Sequence, residues 1–446
     1  MKLSFHGATE EVTGSCFLLE TAAGNVLIDC GMKQGERLCI LRTLDPFAFD
    51  VKKIVAVVVT HAHFDHTGRL PELIAQGYTG PIFMTPPTKA LADIVLEDSL
   101  NIMRENAERC GDEVPYSKED KDAMLSQVHG VNYHTAFEPA PGISIMFHDA
   151  GHILGSAYIS IDVEGKRFVF SGDIGNDDVP ILPDTEPLHR ANYVVCEATY
   201  GDRDHEPTAE RGERLLSFAK KVLGRKGTLL IPAFSVERTQ ELLYELDLLI
   251  TQGRLPHVPI YLDSPLAIRA TSIYRHFAHH LRVDHPLMQT DFFSFPSLRE
   301  TLSADESKKI NDDHGPKIII AGNGMMTGGR ILHHLKHYLS DARAGLLVIG
   351  FQAPGTLGRK ILNKAPNVKI FGQETEVRAE VEMIGSFSAH GDRGKLARWL
   401  HPEEGSVEKI FLVHGEDEAK MSFASYLQAS TQAEVLIPRM NQVYEL

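Results

Sequence analysis

Only five cysteines occur in 446 residues, Cys16, Cys30, Cys39, Cys110 and Cys196, and none forms a Cys-x-x-Cys pair. An odd count without paired spacing argues against a disulfide framework and suits a reducing compartment, with the thiols in the core or half-buried. No stretch is apolar over the roughly 18 residues that a membrane-spanning helix needs, which excludes insertion into a bilayer. The opening run Met1-Lys2-Leu3-Ser4-Phe5-His6-Gly7 lacks the basic start, apolar core and cleavage site of a signal peptide, so a cytoplasmic location is expected. Positive charge is scarce as well: 45 Lys and Arg against 60 Asp and Glu leave a formal charge of -15. Indiscriminate nucleic-acid binding depends on Lys and Arg neutralising phosphates, and this balance opposes it. Local contact with RNA stays open, because bound divalent ions would themselves supply positive charge.

What is present fits a large enzyme of two or three domains. The 43% hydrophobic and 24% charged fractions are ordinary for a soluble globular chain, and there is no internal repeat or low-complexity linker. In the first part, residues 17–20 and 25–29 predict a hairpin around Ala23-Gly24, and residues 54–60 predict a buried strand. Helices are predicted over 91–109 and 117–127, with strands at 142–147, 156–163, 167–171 and 193–196. From about Asp202, helices at 209–223, 236–251 and 330–339 alternate with strands at 228–231, 259–262, 318–321 and 345–349. That rhythm predicts a parallel sheet covered by helices. After about Val377, strand ends carrying His and acidic residues return. The expected organisation is one domain formed by residues 1–201 and 377–446, interrupted by an inserted domain over 202–376.

The densest chemistry lies in Thr60-His61-Ala62-His63-Phe64-Asp65-His66, directly after the apolar run 54–59. Any one of these histidines alone reads as an ordinary solvated or core residue. Together, at a strand end, alternate side chains point into one concave site, and imidazole with carboxylate holds zinc or a similar divalent ion. Other candidates also follow apolar runs: Asp29 after Val26-Leu27-Ile28, His152 after 143–147, Asp173 after 168–172 and Glu197 after Val194-Val195-Cys196. His390 follows a strand expected over 383–387, and His414 follows Phe411-Leu412-Val413. Taken singly, the aspartates read equally as turn formers and the histidines as loop residues bonded to backbone. Strands packed into sheets would collect them along one edge.

The chain resembles the metallo-β-lactamase superfamily and, over essentially its full length, the β-CASP nuclease branch. HAHFDH matches the second superfamily motif, His152 in AGHILGS the third and Asp173 in FSGDIG the fourth. Glu197 in CEATYGDR, His390 in SFSAHGD and His414 in LVHGE match the branch-specific motifs A, B and C. The architecture is similar to that of the short bacterial ribonucleases and of the catalytic core of the cleavage and polyadenylation specificity factor nuclease subunit. The resemblance implies an α/β fold, an αββα sandwich with an inserted α/β β-CASP domain that acts as a lid admitting a single strand. It implies two zinc ions per chain, with manganese or iron as alternatives. His61, His63 and His152 would hold one ion, Asp65, His66 and His414 the other, and Asp173 would bridge them, while Asp29 supports the ligand loop from outside the coordination sphere.

The same resemblance implies a ribonuclease of RNA processing or decay that hydrolyses phosphodiester bonds of single-stranded RNA with a two-metal-activated hydroxide. Asp65 would orient the attacking water, and His390, held by Glu197, would protonate the leaving oxygen. Endonucleolytic cleavage is expected, with 5′-exonucleolytic cleavage left open. Ser386, Ser388 and His390 resemble the loop that grips a substrate phosphate. His414 favours RNA, because DNA-acting relatives carry Val there. Two other readings stay open: a thioester or lactam hydrolase of the superfamily, and an inactive scaffold subunit of an RNA-processing complex. The loop Gly322 to Gly329 with Arg330 reads as an anion site or as a packing loop. Arg238 reads as a solvated helix arginine rather than one lining the cleft, and Arg330, His333, His334, Lys336 and His337 as a wet charged face rather than a patch that tracks a nucleic-acid backbone.

Overall fold

The computed structural model describes residues 1–33, 46–111, 113–282, 293–353 and 355–446, without the side chains of residues 109 and 110. They divide into two compact units, one of Met1–Asp177, Pro183–Asp204 and His390–Leu446, the other of Asp178–Leu182 and His205–Ala389.

Two seven-stranded sheets make the first unit. In the first sheet Val443–Glu445, Lys2–Phe5, Phe17–Thr21 and Gly24–Ile28 are antiparallel neighbours, followed in parallel by Ile54–Val58, Ile82–Met84 and Val128–Gly130. In the second, Glu434–Leu436, Lys409–Val413, Tyr193–Glu197 and Lys166–Phe170 are parallel, and Ala157–Val163, Ile143–Asp149 and Phe137–Ala140 continue antiparallel. Alternation along the strands turns Phe5, Phe17 and Ile28 of one sheet and Phe147, Ile159, Phe170 and Phe411 of the other into a single core. Each such fully buried side chain contributes about 1.5–3 kcal/mol. On the outer side of the second sheet, Trp399 of helix Arg393–Trp399 and Phe423 of helix Asp417–Gln428 cover Val169, Val194 and Leu412. The helices Pro86–Cys110 and Lys118–Ser126 bridge two parallel strands of the first sheet, whose inner face is taken, and so complete an αββα sandwich. Helix Pro86–Cys110 starts well before the expected residue 91. Thr85 caps it by accepting the Thr88 N–H, and prolines in a first turn lose no hydrogen bond.

The second unit holds six parallel strands in the order Leu298–Glu300, Ile260–Asp263, Lys317–Ala321, Thr228–Pro232, Gly345–Val348 and Glu380–Met383. Continuous apolar runs such as Ile318-Ile319-Ile320 suit strands buried on both faces. Three expectations need correcting here. The strand placed over 383–387 ends at Met383, and Gly385–Phe387 is a 3₁₀ turn. Glu206 accepts the Ser386 N–H at 3.1 Å, and its carboxylate lies close against Gly385. Because Glu380–Met383 pairs with Gly345–Val348, residues 377–389 group with this unit rather than with the closing segment. Arg238 is not solvated: it is buried against Glu237 at 2.5 Å and Glu241 at 3.0 Å.

The loop ending at Arg330 is a packing loop. Arg330 donates to Asp263 Oδ1 at 2.7 Å and to the Thr301 and Leu302 carbonyls, so its charge is answered within the fold. On helix Ile331–Tyr338, His333, Lys336 and His337 are exposed, but His334 is buried 2.7 Å from Asp263. Cys16, Cys30 and Cys196 are buried free thiols; Cys39 and the side chain of Cys110 lie outside the described residues. Among the described residues no helix is long and apolar enough to cross a membrane.

Candidate metal centre

Parallel register sets several strand ends of the first unit level with one another. Ile28 lies opposite Val58, and Glu197 opposite Val413, so Asp29, the loop after Thr60, and His414 all emerge at strand ends. After His63 the chain turns through Phe64–Thr67, which carries Asp65 and His66 back toward the strand. Backbone contacts dock that turn: Ser15 N–H donates to the Asp65 carbonyl at 2.8 Å and Cys30 N–H to that of His66 at 2.9 Å. Gly31 is obligatory in this approach, since a Cβ there would stand 1.6 Å from the Asp65 carbonyl. The second sheet closes in through Gly172, at φ +53°, where a Cβ would press on Thr60. Thr60 joins the sheets by accepting the Ala157 N–H at 2.8 Å.

At these ends His61, His63, His152 and Asp173 bring one donor atom each within 4.8 Å of one another, and so do Asp65, His66 and His414. The Asp173 carboxylate faces both groups. Its Oδ2 lies 3.4 Å from His61 Nε2 and 3.5 Å from His152 Nε2, and its Oδ1 lies 3.5 Å from His66 Nε2 and 3.6 Å from His414 Nδ1. Imidazole nitrogens confront each other at 3.0 Å (His61 Nε2 and His63 Nδ1), 3.3 Å (His152 Nε2 and His63 Nδ1) and 3.4 Å (His66 Nε2 and His414 Nε2). Asp173 Oδ1 is buried and accepts no hydrogen bond, a costly state for a carboxylate oxygen in a protein interior. Clustered nitrogen lone pairs and an orphaned carboxylate oxygen both fit a divalent cation, and imidazole with carboxylate is a donor set that suits zinc.

The protonation states follow from the same crowding. Burial, reinforced by the neighbouring imidazoles, holds His61 well below its ordinary range, so its ring is neutral and able to ligate. Burial works to raise Asp65, yet the hydrogen bond with His414 and the adjacent histidines hold it well below the usual carboxylate range. His66 goes the other way. Burial opposes its proton, but Asp173 and Asp29 flank the ring and push it up to about 10. Carboxylates that draw a proton onto His66 attract a doubly charged ion more strongly. Asp29, itself at φ +55°, accepts from the Thr60 N–H and hydroxyl, both at 2.8 Å, and lies 2.7 Å from His66 Nδ1, which turns His66 Nε2 toward Asp173.

Beside this cluster His390 places Nδ1 3.2 and 3.1 Å from the two oxygens of Glu197 and 3.9 Å from Asp173 Oδ2. Glu197 is fully buried and fixed by the Ile174 N–H at 2.7 Å. Burial acts to raise its carboxyl, but His390 more than offsets this and keeps it low. His390 pairs by a single bridge with Gly175, which is how it reaches the cluster without a strand of its own.

Ten of the twelve residues singled out in the sequence thus lie in the first unit. Ser386 and Ser388 belong to the second, where Ser386 is buried with its hydroxyl unpartnered and the Ser388 N–H donates to the Gly385 carbonyl at 2.8 Å. Three hydroxyl residues escaped notice. Thr60 bonds Asp29, Thr199 Oγ1 lies 3.1 Å from His414 Nδ1, and Ser156 accepts the His152 N–H at 3.0 Å. Their only sequence signal is proximity to a candidate ligand.

Three family descriptions match the chain: the Metallo-beta-lactamase superfamily over residues 9–91, the Beta-Casp domain over 239–361, and the Zn-dependent metallo-hydrolase RNA specificity domain over 374–438. Ribonuclease TTHA0252 of Thermus thermophilus is 41% identical over 99% of both chains. Transcription termination factor FttA of Methanocaldococcus jannaschii is 32% identical over 98% of this chain and 70% of its own. A crystal structure of an Enterococcus faecalis protein of unknown function superimposes with a TM-score of 0.55 at 11% identity, covering 100% of this chain and 99% of the other, a likeness of fold.

Proposed function

This chain belongs to the metallo-β-lactamase superfamily, in its β-CASP branch, and on that premise we propose that it is a zinc-dependent ribonuclease acting on single-stranded RNA. The observation that carries the reading is the Asp173 carboxylate set between two groups of imidazoles, with His390 and Glu197 alongside. In this proposal His61, His63 and His152 would hold one zinc ion and Asp65, His66 and His414 a second, with the Asp173 carboxylate set between the two groups. Two such ions, when bound, supply acidification of a water and neutralise charge on the phosphoryl oxygens.

The residues of the chain do the rest. Asp65 orients the attacking water, whose oxygen bonds to phosphorus as the ester bond to the leaving ribose oxygen breaks. Glu197 engages His390 Nδ1 and stabilises the imidazolium, which assigns proton donation to Nε2; that proton goes to the leaving oxygen. Asp29 and Thr199 act as positioning residues, fixing which nitrogen His66 and His414 present. Ser386 and Ser388 are assigned to contact with a substrate phosphate in this reading. RNA rather than DNA is the proposed substrate, supported by His414 and by the ribonuclease name of the Thermus relative. Cleavage is endonucleolytic in this reading, and three buried unpaired thiols support action in the cytoplasm.

The test is cleavage of a labelled single-stranded RNA, of the same sequence as DNA, and of a thioester. RNA cleavage that chelation abolishes and zinc restores is expected, with His390→Ala slower by on the order of 10²- to 10⁴-fold. Thioester turnover without RNA cleavage overturns the reading, and unchanged cleavage by His390→Ala removes the proton-donor role. Internal products from an RNA blocked at its 5′ end identify the endonucleolytic mode.

A further inference from the structure

We propose that His134, His148 and Glu186 form an additional divalent-metal site in the first unit, for zinc or an ion of like chemistry, sharing no ligand with the centre around Asp173. One donor atom from each comes within 4.8 Å of the others. His134 Nε2 is 2.9 Å from both Glu186 oxygens, and His148 Nδ1 is 3.7 Å from Glu186 Oε2. These spacings are close to the 3.0 to 3.5 Å separations among His61, His63, His152 and Asp173.

A surface ion pair of Glu186 with His134 accounts for two of the three residues and leaves the third unexplained. His148 is 7% exposed, and its Nδ1 is buried without a hydrogen-bond partner. Its other nitrogen is engaged, with Nε2 3.0 Å from Ser160 Oγ, and its ring lies flat on Tyr158 at 4.5 Å and 8°. With the Nε2 proton donated to Ser160, the Nδ1 lone pair points into the cluster. A ligating histidine is held in this way, by a partner on the opposite nitrogen.

The ligands come from three segments that the backbone ties together. The His134 N–H, in a turn at φ +59°, donates to the Phe147 carbonyl at 3.0 Å, and the Glu186 N–H donates to that of Asp149 at 3.0 Å. His134 is 62% exposed, so an ion reaches the site from solvent and water completes a tetrahedral set of three protein ligands.

Zinc content after saturation and desalting tests the assignment. Wild type should carry one more equivalent per chain than the double variant His134→Ala, Glu186→Gln, and Glu186→Gln alone, an isosteric change, should lose the same equivalent. In an Asp173→Asn background, where the main centre is impaired, the equivalent held by His134 and Glu186 should persist and then vanish on adding the double change. Equal zinc content in wild type and in both folded variants overturns the assignment, whatever the state of the main centre.

Discussion

Asp173 and Asp263 are both buried carboxylates at the ends of parallel strands, one in each unit, and their surroundings are opposite. Asp263 Oδ1 accepts from Thr301 Oγ1 at 2.6 Å and Arg330 at 2.7 Å, and its Oδ2 accepts from Ser307 Oγ at 2.5 Å and His334 Nε2 at 2.7 Å. Burial alone would raise this carboxyl, but the four donors hold it at about 2. Asp173 has imidazoles around it and no donor to Oδ1, and burial pushes its carboxyl up. A carboxylate whose lone pairs are all met by the chain serves the fold. One left unmet among nitrogen ligands serves something that the chain does not encode.

That contrast yields graded predictions. Asp173→Asn should lower RNA cleavage by more than the roughly 100-fold typical of a residue one layer outside a metal, while the metal-free protein melts no lower than wild type. A melting point several degrees lower would make Asp173 a fold residue and erase the distinction. Asp263→Ala should do the reverse, costing about 3 kcal/mol in denaturant unfolding because Arg330 and His334 lose their acceptor, with zinc content unchanged. Asp29 stands between the two, since Thr60 satisfies it while it orients His66; Asp29→Ala should reduce metal affinity by about 10- to 100-fold, read by competition with a chelating dye. The smallest effect is in pH. Because folding depresses the Asp263 carboxyl from 3.8 to about 2, its stabilisation is complete above about pH 4 and declines as pH falls toward 2. Melting points across that range should show a slope that Asp263→Asn flattens.

How much of this was legible in the sequence depends on whether a feature is local. The histidine loop, Asp173, Glu197 and His414 each follow a run of apolar residues, and parallel pairing sets such ends side by side. The alternation from residue 202 likewise announced a parallel sheet. His390 lies beside the Asp173 cluster but not in the expected setting: Ile384 and Phe387 look strand-like, but the backbone turns at Gly385 to meet Glu206. Asp263 and His334 meet through a bond across 71 positions, and no spacing rule connects them. Arg238 sits amid charged residues that read as a wet helix, and only the packing of helix Arg238–Thr251 reveals that Glu237 and Glu241 enclose it. His134, His148 and Glu186 are scattered in the same way.

The parallel pairing of Tyr193–Glu197 with Lys409–Val413 also fixes an order in time. Thr199 and His414, in contact in the folded protein, are 215 residues apart. At a synthesis rate of about 5–20 residues per second, the interval between them on the ribosome is about 10–40 s. Throughout it the nascent chain carries the histidine loop and Asp173 but lacks His414, and His390 is added only near its end. Most of the second unit, His205–Ala389, is encoded within that interval and can fold first, and the candidate metal centre is completed only as the last strands of the second sheet emerge.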